Sequence, residues 1–95
     1  MHEVNLRRLD LNLLVVLGAL LETRHVSRAA EQLDMSQPAV SRALGRLRDL
    51  FGDSLLVRGP SGLVLTGRAR DLRQPLADAL AGISRLVAEP DFAGA

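Results

Sequence analysis

Ala30, Asp34 and Val40 place the tightest constraint on this 95-residue chain. A small residue, a turn-tolerant residue four positions on and an apolar residue six beyond that are the needs of two helices meeting at a tight corner. The small side chain lets the axes approach, the second position must accept left-handed backbone, and the third fills the angle between the helices. The spacing predicts a helix from about Val26 to Leu33, with His25 or Ser27 as its cap and Ala29, Ala30 and Leu33 facing inward. A turn at Asp34-Met35 then leads into a further helix capped by Ser36.

That further helix carries Pro38 in its first turn, where a missing N–H costs nothing because no intrahelical partner exists there. At 100° per residue Val40, Leu44, Leu47 and Phe51 share one face, and Gln37, Ser41, Gly45 and Arg48 another, with Arg42 beside them. Gly52 closes it. One face packs and the other is free. Charge agrees with this division: residues 36–58 hold four Arg against two acids, whereas residues 1–35 hold four against five and residues 59–95 four against four. The net +1 therefore conceals a positive middle segment, the footprint expected of a nucleic-acid surface. All twelve basic residues are Arg, which suits bidentate recognition of phosphate or guanine and follows equally from genomic base composition.

The remaining elements complete one small unit. Asp10 can cap a first helix with Leu13, Val16, Leu17, Leu20 and Leu21 at helical spacing, ending near Thr23 to His25. After the third helix, "LLVRGPSGLVLT" reads as two short strands around a Gly-Pro-Ser-Gly turn, packed on the helices through Leu55 and Leu65 because a lone hairpin is marginal. Thr66 caps a last helix reaching about Ala88. Its Ala69, Leu72, Leu76, Ala79, Ile83 and Leu86 step by three and four as a heptad seam, with Leu80 and Val87 alongside. Such a seam either packs back on its own domain or pairs two copies, and its length favours pairing. Pro75 inside it should bend the helix. The expected fold is mainly α: a winged helix-turn-helix with a three-helix core and a short β-hairpin wing over 1–65, a linker and dimerisation helix over 66–88, and a frayed tail over 89–95.

Several chemistries fall away. With no cysteine there is no disulfide or thiolate site, and a cytoplasmic setting is expected. His25 reads as a cap and His2 lies near the terminus, so no metal site is expected. No Gly-x-Ser-x-Gly elbow supports catalysis, so neither an enzyme nor a cofactor is expected. The apolar run Leu13–Leu21 follows Arg7 and Arg8 but is interrupted upstream by Asp10 and Asn12. It exits on Glu22-Thr23-Arg24, too short for the ~20 residues of a membrane span.

The stretch "VSRAAEQLDMSQPAVSRALGRLRDLFGDSLLVR", followed by "LVLT", resembles the N-terminal winged helix-turn-helix of LysR-type transcriptional regulators. The likeness runs from about Leu6 to Val87 and is most diagnostic over Ser36–Arg42; the proline in the last helix looks like the branch of nodulation and aromatic-degradation regulators. The resemblance implies that Gln37, Pro38, Ser41 and Arg42 face the major groove of double-stranded DNA, with Ser36 and Arg28 near phosphates and Arg58 at the base of the wing. It implies a homodimer through the last helix, with a tetramer open to a full-length protein. A small-molecule effector enters only where a C-terminal sensing domain is present. This chain departs from the family at Ser61, where a second basic residue is usual in the wing, and at Ala69, where Gly usually follows the linker cap. A weaker wing contact is expected from Ser61.

Blander readings stand beside these. Ser41 and Arg42 could be a solvated face, Arg58 an exposed strand end, and Arg46 and Arg48 either phosphate contacts or solvent-exposed, with Arg48 able to pair with Asp49 or Glu31. A protein-interaction or dimerisation module that binds no DNA is the alternative from another class.

Overall fold

The computed structural model describes residues 4–88. Four helices and one hairpin follow in the order α1 (Asn12–Thr23), α2 (Val26–Leu33), α3 (Gln37–Phe51), β1 (Leu56–Gly59), β2 (Gly62–Leu65) and α4 (Gly67–Val87). The expected fold class is what is observed, a three-helix core with a hairpin wing and a long final helix. The tail beyond Ala88 lies outside the described residues.

Helix boundaries follow local chemistry. His25 starts α2, its Nδ1 accepting the Arg28 N–H at 3.2 Å, which decides between the two candidate caps. Ser36 Oγ accepts the Ala39 N–H at 3.2 Å at the start of α3, and Thr66 Oγ1 accepts the Ala69 N–H at 3.1 Å at the start of α4. Each satisfies an amide that the helix itself leaves without a partner. Asp34 and Gly52 end α2 and α3 in the left-handed conformation, at φ 55° and 60°.

Asp10 acts differently from the cap expected of it. The residue flanking α1 is Leu11, already helical in φ and ψ and without a side-chain cap. Asp10 Oδ1 accepts the Asn12 N–H at 3.0 Å and the Asp10 carbonyl accepts the Leu13 N–H at 3.0 Å. The carboxylate thus closes a turn one step before the helix, because the backbone has turned by Leu11.

The core lies where α1, α2 and α3 converge beneath the hairpin. Leu17 and Leu20 from α1, Val40 and Leu47 from α3, and Leu55 and Leu56 at the hairpin base are fully buried. Each such side chain contributes about 1.5–3 kcal/mol of apolar burial. Ala29 and Ala30 are buried at the α2 crossing, and Val40 fills the corner, as the spacing requires. The hairpin packs through Leu55 and Leu65, as expected, and also through Leu56.

The strands pair antiparallel with Leu56 opposite Leu65 and Gly59 opposite Gly62, so Pro60 and Ser61 form a two-residue loop. Pro60 excludes positive φ at the first loop position, and Ser61 does not adopt it at the second, so Gly62 takes up the twist at φ 122°. A Cβ on Gly59 would meet Cγ1 of Val64, its diagonal neighbour on β2, at 2.8 Å, so any other residue there would require the valine side chain to shift.

Helix α4 continues through Pro75 as one element. Its first half lies against α1: Ala69 and Leu76 are buried, and Leu72 and Leu80 are half-buried against the core. Close approach is possible because α1 offers Gly18, whose hypothetical Cβ would stand 3.0 Å from Leu80 Cδ1. The second half stands clear, with Ile83 45%, Leu86 83% and Val87 78% exposed.

Candidate nucleic-acid interface

Ser36, Gln37, Pro38, Ser41 and Arg42 are all exposed and lie within the cap and first two turns of α3. Their common placement follows from the opposite face, where Val40, Ala43, Leu44 and Leu47 are buried and fix the rotation of the helix. Arg28 is exposed in the first turn of α2, on the other limb of the helix-turn-helix. Arg58 is exposed in β1, separated in sequence and in element from the α3 group.

Among the described residues, the side chains of Gln37, Ser41, Arg42, Arg28 and Arg58 make no hydrogen bond within the chain. Their donors and acceptors are therefore available to a ligand. Ser36 is partly committed: its Oγ accepts the Ala39 N–H, and its hydroxyl hydrogen can still be donated outward. Arg42 and Arg46, one turn apart, also line a groove with Asp10, Asn12, Val15, Met35 and Ala39, so the basic flank of α3 faces a carboxylate at the start of α1.

Arg48 is different. Its Nε donates to the Ser54 carbonyl at 2.8 Å and its Nη2 to the Leu56 carbonyl at 2.9 Å, so it partners neither Asp49 nor Glu31. A guanidinium on the last turn of α3 thereby ties that helix to the hairpin. The helical wheel could not show this, because the partners are carbonyls of a segment whose position depends on the tertiary fold.

Asp53 is an organising residue that the sequence reading passed over. Its Oδ2 accepts the Leu55 N–H at 2.8 Å and the Thr66 hydroxyl at 2.7 Å. These two donors, with the Arg68 charge adding to them, hold its carboxyl below the usual carboxylate range. The i to i+2 contact is an Asx turn, and an Asp two positions before a buried residue in a loop is the signal that could have found it. It holds Leu55 at φ 65°, a left-handed conformation that a fully buried leucine rarely adopts.

The seam residues divide in two. Leu72, Leu76 and Leu80 pack within the chain, whereas Ala79, Ile83 and Leu86 are exposed. Among the described residues no helix is long and apolar enough to cross a membrane, and no group of three His, Cys, Asp or Glu could hold a metal ion.

Residues 11–70 match the bacterial regulatory helix-turn-helix proteins of the lysR family. The chain is 54% identical over 86 residues to the HTH-type transcriptional regulator SyrM of Rhizobium etli, a match covering 90% of this chain and 26% of that protein. It therefore spans about a quarter of the length of that relative. The crystal structure of the probable transcriptional regulator PA0477 from Pseudomonas aeruginosa superposes with a TM-score of 0.78 at 45% identity, covering 84% of this chain and 27% of that one. The crystal structure of a BenM_DBD/catB site 1 DNA complex superposes with a TM-score of 0.76 at 26% identity, covering 83% of this chain and 89% of that one.

Proposed function

The chain belongs to the lysR family of bacterial regulatory helix-turn-helix proteins, and from that premise we propose that it binds double-stranded DNA sequence-specifically, as a homodimer, to regulate transcription. One observation carries this reading: the polar and basic flank of α3 is exposed and uncommitted while the opposite flank is locked in the core. A helix held in that way can enter a major groove without rearranging its own domain. The likeness to a DNA complex of a protein of this fold supports the same use of the surface.

Residue types assign the roles. Gln37 pairs with adenine and Arg42 with guanine across bidentate edges, Ser41 reads either base, and Pro38 contacts a thymine methyl. Ser36 and Arg28 contact phosphates, aided by the positive end of α3, and Arg58 holds the backbone from the wing. Phosphate contacts set register, and the α3 contacts set sequence.

The exposed apolar residues of distal α4, Ala79, Ile83 and Leu86, pair with a second copy. Two recognition helices then reach successive major grooves about 34 Å apart on one face of the duplex, giving an operator of approximate two-fold symmetry. Residues 1–65 form the DNA-binding unit and residues 66–88 the linker and dimerisation helix. A tetramer and a small-molecule effector belong to a longer protein with a sensing domain, and the setting is cytoplasmic.

Selection of bound duplexes from random DNA tests binding and half-site spacing together. Recovery of paired half-sites about one helical turn apart, or a multiple of it, is expected. An absence of any binding at low salt would overturn the reading in favour of an interaction module that uses α4 alone.

A further inference from the structure

The hairpin has two strands and no third, so carbonyls on its outer edges lack a strand partner. At one rung, Leu56 opposite Leu65, both carbonyls are supplied with donors by arginines from different helices. Arg48 of α3 donates to Leu56 at 2.9 Å, and Arg70 of α4 donates to Leu65 at 3.1 Å. Arg48 makes a second bond, from Nε to the Ser54 carbonyl at 2.8 Å, so its planar fork spans the entry to β1. Arg58 lies two residues beyond Leu56 on the same strand.

We propose that Arg48 and Arg70 are positioning residues that clamp the base of the wing between α3 and α4 and so fix where Arg58 meets the DNA backbone. The proposal rests on the reading that α3 and the wing contact DNA. Four-residue strands on either side of a turn have little stiffness of their own beyond their pairing, and a wing attached only through buried Leu55, Leu56 and Leu65 could pivot about that apolar base. Directional bonds to both strands of one rung remove that freedom. The wing then moves with α3 on one side and with the pairing helix on the other, so a change in α4 orientation is passed to Arg58.

A fork bonding two carbonyls cannot be copied by an ammonium, which carries charge without the planar geometry. Arg48→Lys therefore separates clamping from simple charge. Duplex binding is measured over a salt series for wild type, Arg58→Ala, Arg48→Lys and the double variant, using a duplex recovered by the selection above. Hydrogen exchange of the backbone amides at 56–59 and 61–65 is followed in parallel, with Arg70→Met included. Arg48→Lys is expected to weaken binding and to lower the salt slope by about as much as Arg58→Ala does, near one unit, although its charge is kept. The double variant is expected to bind no more weakly than the worse single variant. Hairpin amides should exchange several-fold faster in both clamp variants, while Leu17 and Leu20 amides stay unchanged. Wild-type affinity in Arg48→Lys, or losses that add in the double variant, would overturn the positioning role. A wild-type chain that binds no DNA defeats the proposed function, and the exchange comparison still decides the clamp: unchanged hairpin exchange overturns it.

Discussion

Asp53 Oδ2 accepts a 2.7 Å hydrogen bond from the Thr66 hydroxyl, joining the loop after α3 to the N-cap of α4 across the base of the hairpin. Thr66 Oγ1 in turn accepts the Ala69 N–H, so one carboxylate supports a helix cap thirteen residues away in sequence. The same oxygen holds the Leu55 N–H and with it the left-handed turn that buries Leu55.

This arrangement carries a pH signature. Because the folded-state pKa of Asp53 lies below its unfolded value, its contribution is fully present above the unfolded carboxylate range, near pH 4, and is lost as pH falls through the folded pKa. Asp53→Asn should lower the melting temperature at pH 7, and the gap to wild type should close on acidification below about pH 4. Thermal unfolding across that range checks it; a gap independent of pH would mean that the charge contributes nothing.

Arg42→Ala is expected to cost about 1–3 kcal/mol of discrimination between operator and random DNA, the worth of one bidentate base contact. Arg28→Ala is expected to weaken both alike and to reduce the salt slope by about one. Competition binding at two or more salt concentrations separates the two patterns. Equal losses on operator and random DNA for Arg42→Ala would remove it from the base-reading set.

Gly45 lies inside α3 and, apart from the helix's own adjoining backbone and chain neighbours, no atom stands within 4 Å of where a Cβ would be. Gly45→Ala should therefore stabilise the domain by about 0.8–1 kcal/mol through helix propensity alone. A rise in melting temperature of several degrees is the expected reading, on the scale of about 4–8 °C per kcal/mol for a domain of this size.

The two halves of the α4 seam should answer to different assays. Leu76 is buried against its own domain, so Leu76→Ala should cost about 2–3 kcal/mol in a urea unfolding titration. Ile83 and Leu86 are exposed, so Ile83→Glu with Leu86→Glu should leave the fold intact and shift the sedimentation mass from twice 10.2 kDa to 10.2 kDa. An unchanged mass would remove distal α4 as the pairing surface.

The residues themselves determined the helices, the caps of α3 and α4 and the turn. Ser36, Thr66, Gly52 and Asp34 act through neighbours within a few positions, and such contacts are written in sequence spacing. The packed face of α3 was legible for the same reason, since periodicity at 3.6 residues names the buried side and leaves Gln37, Ser41 and Arg42 on the other. Tertiary structure alone decided that Arg48 serves the hairpin rather than solvent or an acid on a helix, because its acceptors are main-chain carbonyls brought to it by the turn at Asp53 to Leu55. It alone decided where the heptad seam of α4 stops belonging to its own core and becomes free surface. A heptad pattern records that a face is apolar; how far α1 reaches along it depends on the length of that helix and the closeness that Gly18 permits beside Leu80.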